Sequence, residues 1–345
     1  MKSKEYIRWL DWIRFLAAFA VLICHGRNLF LPEYSMLSPS QQNPITLVFY
    51  LLTRLGNEAV IIFFVLSGYL VGGRNLDRLL NDDFDVRSYF IDRFSRIFPP
   101  LLGCILFYST IMFFGGNLPT TLTILGNLLS LQGILVQPMF ATLWTLAYEV
   151  WFYILFGLMG AFCISKNGRV VLFILICISV LALNKLGLLY LFIWVCGIIA
   201  YFIKKKLNHY LIGLLVIISM MLTQISSQGK VVMINIPIPS SFSTTMLAMS
   251  FATFLSQSPK TTMNKVSIMD KVGTLLSSFT YTLYLSHVPC YRMLNLLGIQ
   301  RADDLTIDSI MIYTMAFSIA IFISVIMYWL FERNSFLLKK ILKNI

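Results

Sequence analysis

Apolar runs long enough, or nearly long enough, to cross a bilayer recur ten times along the chain. They lie at about 8–28, 46–73, 97–115, 143–164, 170–184, 188–203, 209–225, 242–257, 274–296 and 308–331. In hydrocarbon every backbone amide must find its partner within the protein, so such runs fold as helices. The expected fold class is all-α, a polytopic integral membrane bundle of about ten transmembrane helices. The second run is too long for one span. Arg54, Gly56, Asn57 and Glu58 interrupt it, so it should break into an outer piece and a span from about Ala59. Composition excludes a disordered or fibrous chain and strains a water-soluble one: 58% of the 345 residues are apolar and only 12% charged, whereas soluble domains carry about a quarter charged.

The net charge of +12 raises the question of a nucleic-acid partner. Its distribution argues against one, because Lys and Arg cluster between the apolar runs, as they do in cytoplasmic loops. With both termini cytoplasmic and ten spans, 21 of the 27 basic residues fall inside: Lys2, Lys4, Arg8, Arg14, Arg74, Arg78, Arg87, Arg93, Arg96, Lys166, Arg169, Lys204, Lys205, Lys206, Lys260, Lys265, Lys271, Arg333, Lys339, Lys340 and Lys343. Only Arg27, Arg54, Lys185, Lys230, Arg292 and Arg301 fall outside. A crossing by Leu118–Val136 would invert every later loop, so that segment is expected to be re-entrant or to lie on the outer surface. The start of the chain has a basic flank but no small-residue cleavage site, and reads as a retained first span. There is no internal repeat or low-complexity linker, and residues 1–345 read as a single membrane domain without an appended soluble module. Cys24, Cys104, Cys163, Cys177, Cys196 and Cys290 show no paired spacing and read as buried free thiols, with no metal site expected.

Ionisable side chains within spans are costly, so Arg14, His25, Glu149 and His287 are the first candidates for chemistry. Arg14 and His25 are 11 residues apart, which places them on one helix face about 16 Å apart. Asp11 can pair with Arg14. Glu149, about six residues into an inward-running span, matches His25 in depth, where a carboxylate can orient an imidazole and raise its basicity. The blander readings are a snorkelling Arg14, an interfacial His25 and a structural ion pair at Glu149. His287, with Tyr284 one turn before it, is either substrate-binding or a hydrogen-bonded structural histidine, and His209 is interfacial. Arg93 and Arg96 share a face of an amphipathic helix expected to end at Pro99 and Pro100. They suit either phosphate or anionic lipid. Ser67 and Gly68 in FFVLSGYL mark a close helix contact, or a segment hugging a ligand.

Six segments taken together resemble the acyltransferase 3 family of integral membrane acyltransferases: LDWIRFLAAFAVLICH, FFVLSGYL, YFIDRFSRIFPP, LWTLAYEVWFYI, YTLYLSHVP and YWLFE. The resemblance implies transfer of an acyl group, usually acetyl, from cytoplasmic acyl-coenzyme A as co-substrate to a hydroxyl of a surface polysaccharide or its lipid-linked precursor, at the inner membrane. It implies that Arg14 and His25 are the essential pair, that Arg93 and Arg96 bind the donor, and that Glu149 and His287 are further polar intramembrane positions. His25 would act as base or acyl carrier. Some relatives carry a fused extracytoplasmic domain that this chain lacks, so a separate extracytoplasmic partner is one expectation. Outer segments around 29–45, 115–142 and 226–243 would shape acceptor choice. The rival from another class is a secondary transporter of a small polar or anionic solute, disfavoured because the polar positions do not repeat in two halves. A longer acyl donor or an amine acceptor keeps the fold and changes the chemistry. A non-catalytic export partner gives no reason for His25 and Glu149 to share a depth.

Overall fold

The structure is a computed structural model that describes residues 9–203, 207–226, 239–257 and 267–344. Lys2, Lys4, Arg8, Lys204, Lys205, Lys206, Lys230, Lys260 and Lys265, and most of the outer segment 226–243, lie outside the described residues. The described chain is helical: α1 (Trp9–Phe30), α2 (Pro44–Leu52), α3 (Gly56–Ser67), a π-helical turn (Gly68–Gly73), α4 (Arg74–Leu80), α5 (Val86–Phe114), α6 (Thr121–Leu128), α7 (Leu143–Ile164), α8 (Arg169–Leu186), α9 (Leu189–Phe202), α10 (His209–Ser226), α11 (Ser240–Ser256), α12 (Ile268–Ser278), α13 (Thr280–Leu296), α14 (Ile307–Met327), a second π-helical turn (Tyr328–Glu332) and α15 (Ser335–Asn344).

All ten apolar runs are helical. Seven helices among the described residues are long and apolar enough to cross a membrane: Trp9–Met36, Pro44–Leu80, Val86–Phe114, Leu143–Ile164, Arg169–Leu186, His209–Ser226 and Ile307–Asn344. The other three are shorter. At 1.5 Å per residue α9 reaches about 21 Å, and α11 and α13 about 26 Å. Large apolar side chains cover the outside of the bundle, among them Val170, Phe173, Leu181, Phe114 and Phe322. That is the surface a helix presents to lipid and not to water.

The break in the second run falls where its charges interrupt it, between α2 and α3. Asn43 caps α2, accepting from the amides of Ile45 and Thr46, and Pro44 supplies a first-turn residue with no amide to satisfy. Beyond α3 the π-helical turn packs against α9 at backbone distance. A Cβ on Gly68 would lie 2.0 Å from the Trp194 carbonyl oxygen, and one on Gly197 would lie 2.1 Å from the Val65 oxygen. Between these positions the two backbones touch, so only glycine fits.

The segment 118–136 does not form a spanning helix. Its helix, α6, is eight residues long and about 12 Å. Two buried amides hold the turns that follow. Asn127 donates to Thr123 O (2.8 Å) and Gln137 O (3.0 Å) and accepts from Met139 N–H, and Gln132 donates to Leu143 O (2.7 Å).

Three expectations are corrected. Pro99 and Pro100 do not end a helix, because α5 runs through both for 29 residues. Their missing amides leave carbonyls one turn back without the usual donor, and such interruptions are tolerated where neighbouring helices cover the backbone. The freed carbonyls are those of Ser95 and Arg96, and α13 lies against this turn, where Tyr281 Oη donates to Ile97 O (3.5 Å). The ninth run begins later than 274: Phe279 separates the amphipathic α12 from α13, since α12 is set by its own capping box at Ser267 and Asp270. All six cysteines are free, but Cys163 and Cys177 are exposed on the bundle exterior, where an apolar thiol meets the same surroundings as its Phe and Ile neighbours.

Candidate active site

Five helices converge on one cavity of about 140 Å³. α1 brings Arg14, α3 ends in it with Ser67, α5 contributes Arg93 and Arg96, α7 contributes Thr145, Glu149 and Tyr153, and α13 contributes Tyr284. Three guanidiniums and one carboxylate thus line a space otherwise walled by Phe, Leu, Ile and Val and by Ser, Thr and Tyr side chains. Asp11, one turn before Arg14, is buried and lies 3.4 Å from its Nη1, and its other oxygen accepts from Thr274 Oγ1 at 3.0 Å. Asp11 therefore aims Arg14 from behind while α12 aims Asp11.

Because α5 is continuous through its prolines, Arg93 and Arg96 are carried on the same rod that enters the bundle core. Arg93 stacks its guanidinium over the Tyr153 ring, 5.6 Å from the centroid, and its buried Nε has no hydrogen-bond partner among the described residues. The phenol of Tyr153 donates to Glu149 (2.5 Å) and lies 2.9 Å from Ser67 Oγ, which also accepts from Trp194 Nε1. Glu149, Tyr153, Ser67 and Trp194 thus form one polar chain along the cavity wall. Tyr153 was not singled out from the sequence, and only its place four residues after Glu149, on the same helix face, pointed to it. Gly68 takes no part in the lining. It makes the close contact with α9 that leaves Ser67 at the wall.

His25 stands outside this lining and reaches it through α13. Its Nδ1 lies 3.0 Å from Nε2 of His287, and the Nδ1 of His287 lies 2.9 Å from Leu283 O. A carbonyl only accepts, so neutral His287 carries its proton on Nδ1 and presents a lone pair at Nε2. His25 then donates from Nδ1, and the lone pair of His25 is left at Nε2, which makes no hydrogen bond among the described residues. His287 is fully buried and His25 half-buried. The Tyr284 ring packs 6.1 Å from that of His287, and its hydroxyl lies 2.7 Å from Thr145 Oγ1 on the cavity wall.

The carboxylate expected to orient His25 is thus bonded to Tyr153, and the orienting group is His287, 262 residues away in sequence. His287 itself is aligned by its own helix. The start of α13 is held by Glu332, whose Oε2 accepts from the Thr282 amide (3.2 Å) and hydroxyl (2.5 Å). The second π-helical turn, the YWLFE segment, brings Glu332 there, which is the structural work of a motif that carried no candidate residue.

The basic residues assigned to opposite sides of the membrane separate in space. Arg14, Arg93 and Arg96 share the cavity, and α15 packs beside the start of α5 through Lys339–Asp92 (2.8 Å) and Lys343–Ser88 (3.0 Å). Arg27, Arg54 and Arg301 gather near the other end of α1.

No curated protein and no solved structure matches the chain. A family model described as an acyltransferase domain matches residues 7–329, a stretch that contains every residue of the cavity and both histidines. This multi-pass membrane chain is therefore a membrane acyltransferase and belongs to the acyltransferase 3 family.

Proposed function

We propose that the protein transfers an acetyl or similar short acyl group from cytoplasmic acyl-coenzyme A to a hydroxyl of a surface polysaccharide or a lipid-linked glycan precursor, working in the inner membrane. The observation that carries this reading is the hydrogen-bonded pair His25–His287, which leaves one imidazole nitrogen of His25 unprotonated and packs against Tyr284, a wall residue of the cavity that three arginines line.

The donor is polyanionic, and Arg14, Arg93 and Arg96 supply the complementary charge where its phosphates would arrive. The cavity is comparable in size to one that holds a benzene ring, so only part of the donor enters it and the bulk of the nucleotide stays outside. His25 Nε2 takes the proton of the acceptor hydroxyl as the oxygen forms its bond to the thioester carbonyl carbon. The carbon–sulfur bond then breaks, and the proton returns to the departing thiolate, leaving an ester and free coenzyme A. His287 holds the tautomer in which Nε2 is the base and shares the charge that develops on His25. It acts through His25, as a positioning residue. Tyr284, Thr145 and Glu149 keep the facing wall polar. An acceptor too large for the bundle would be delivered by a separate extracytoplasmic protein.

The test is to incubate membranes containing the protein with labelled acetyl-coenzyme A and host glycans. Label is expected as an alkali-sensitive ester on sugar, and is expected to be lost in His25→Ala and Arg14→Ala. Full activity in both variants, correctly inserted, overturns the assignment.

A further inference from the structure

A second pocket, of about 340 Å³, opens near the far end of α1, away from the donor arginines. Its volume is in the range of small-molecule sites. It is lined by Arg27, Arg54 and Arg301, with Glu33 its single carboxylate. The three guanidiniums are not equivalent. Arg27 lies over the Tyr50 ring (5.4 Å) and donates to Tyr50 O (3.3 Å). Arg301 donates from Nε to Leu31 O (2.9 Å) and faces Glu33 at 3.8 Å, both side chains being well exposed, so that pair is weak.

Arg54 differs from both. The residue is 7% exposed, and neither Nη1 nor Nη2, both buried, has a hydrogen-bond partner among the described residues. Glu58, one turn further on and 1% exposed, attracts it through space but makes no hydrogen bond or ion pair with it, and its own Oε2 is likewise without a partner among the described residues. A guanidinium removed from water with its donors unused is costly, and the cost is offset when an anion fills the fork. The fork is the planar, two-donor shape that matches a carboxylate or a phosphate. The pocket lies at the same end of α1 as the catalytic candidate: Arg27 follows His25 by two residues, a rise of about 3 Å, and the turn of about 200° between them points the two side chains to opposite sides of the helix.

We infer that this pocket binds an anionic group of the acceptor, a carboxylate or phosphate on the sugar, with Arg54 as the buried anchor and Arg27 and Arg301 as its mouth. The acceptor class is then an acidic glycan, and the charge holds the acceptor at the end of α1 that carries His25. The inference rests on the transfer reading for the identity of the ligand as acceptor, while the anion site stands on the geometry of Arg54.

Binding to the purified full chain is measured by saturation-transfer NMR without any acyl-coenzyme A, using methyl glucuronide, glucose 6-phosphate and methyl glucoside. One or both of the charged sugars is expected to bind about tenfold or more tighter than the neutral one, with affinity falling as salt rises. The tighter of the two names the acceptor's charged group. Arg54→Gln is expected to erase the preference and Arg54→Lys to keep part of it. Equal affinity for charged and neutral sugars overturns the inference, and this wild-type comparison decides even if the Arg54 variants do not fold. An unaltered preference in a folded Arg54→Gln also overturns it. Anion binding without transfer from acetyl-coenzyme A would remove the proposed reaction and leave the site. Transfer without anion preference would do the reverse.

Discussion

Tyr284 Oη and Thr145 Oγ1 lie 2.7 Å apart, and this bond couples the helix that carries His287 to the helix that carries Glu149. Tyr284 is one turn before His287 and Thr145 one turn before Glu149, so the bond sets the two helices in register. Tyr284→Phe keeps the ring and its packing against Phe63 and His287 but removes the hydroxyl. Losing one such bond, worth about 1 kcal/mol, is expected to lower kcat several-fold with the donor KM nearly unchanged. Initial rates over a range of donor concentrations check this. An unchanged kcat would show that the helix register does not depend on the hydroxyl.

His287 is expected to act through the tautomer of His25. His287→Ala removes the acceptor for His25 Nδ1–H and should reduce kcat by about 10²-fold or more, with little change in either KM. His287→Gln can still accept at that position through its amide oxygen and is expected to recover part of the rate. A purely structural histidine would show loss of folded protein in both variants and no such rescue, so thermal melting and kcat are read together.

The donor arginines act on binding. Arg93→Ala with Arg96→Ala is expected to raise the KM for acetyl-coenzyme A about tenfold or more and to leave the acceptor KM unaltered, since each charge-assisted contact contributes about 1.5–3 kcal/mol. The effect should shrink with dephospho-coenzyme A donors, which present less charge. An unchanged donor constant would mean that these side chains serve the lipid headgroups.

Gly68→Ala tests packing without altering any polar side chain. The added methyl would meet the Trp194 carbonyl oxygen at 2.0 Å, and backbone cannot swing aside as a side chain does. A destabilisation of about 1–3 kcal/mol or more is expected, seen as a lower Tm in detergent. Because Ser67 follows the same turn, activity should fall in parallel with stability. Gly168→Ala changes a surface glycine with nothing within 4 Å of a new Cβ; its φ of +73° makes any loss a local backbone effect, with activity retained.

Much of the bundle is legible in the sequence because hydrocarbon allows few backbone solutions. The ten apolar runs, the break near Arg54 and the refusal of 118–136 to span all follow from run length and the placement of charge. What hydropathy does not report is how two apolar helices meet. The passage of α5 through Pro99 and Pro100 depends on what packs against that turn, Tyr281 of α13 among it. The start of α13 at Thr280 depends on Glu332, half a hundred residues later. The same holds at the site. Arg14 and Glu149 stand out as costly charges, Arg93 and Arg96 as a phosphate-suited pair, Ser67 as close-packed and Tyr284 as sharing a face with His287, and they do line one cavity. That His25 answers to His287 and not to Glu149 is a matter of helix rotation and neighbour order, which no local spacing encodes. Arg54 was visible only as a charge at a break, and its unused donors emerge from the packing around it.

The His25–His287 pair joins the first helix to the thirteenth, and Glu332, still later, steadies the second partner. During synthesis the ribosome releases α1 long before either of them. A nascent chain therefore carries its arginines and its imidazole in the bilayer without the group that selects the reactive nitrogen, and the enzyme should become competent only when translation is nearly finished.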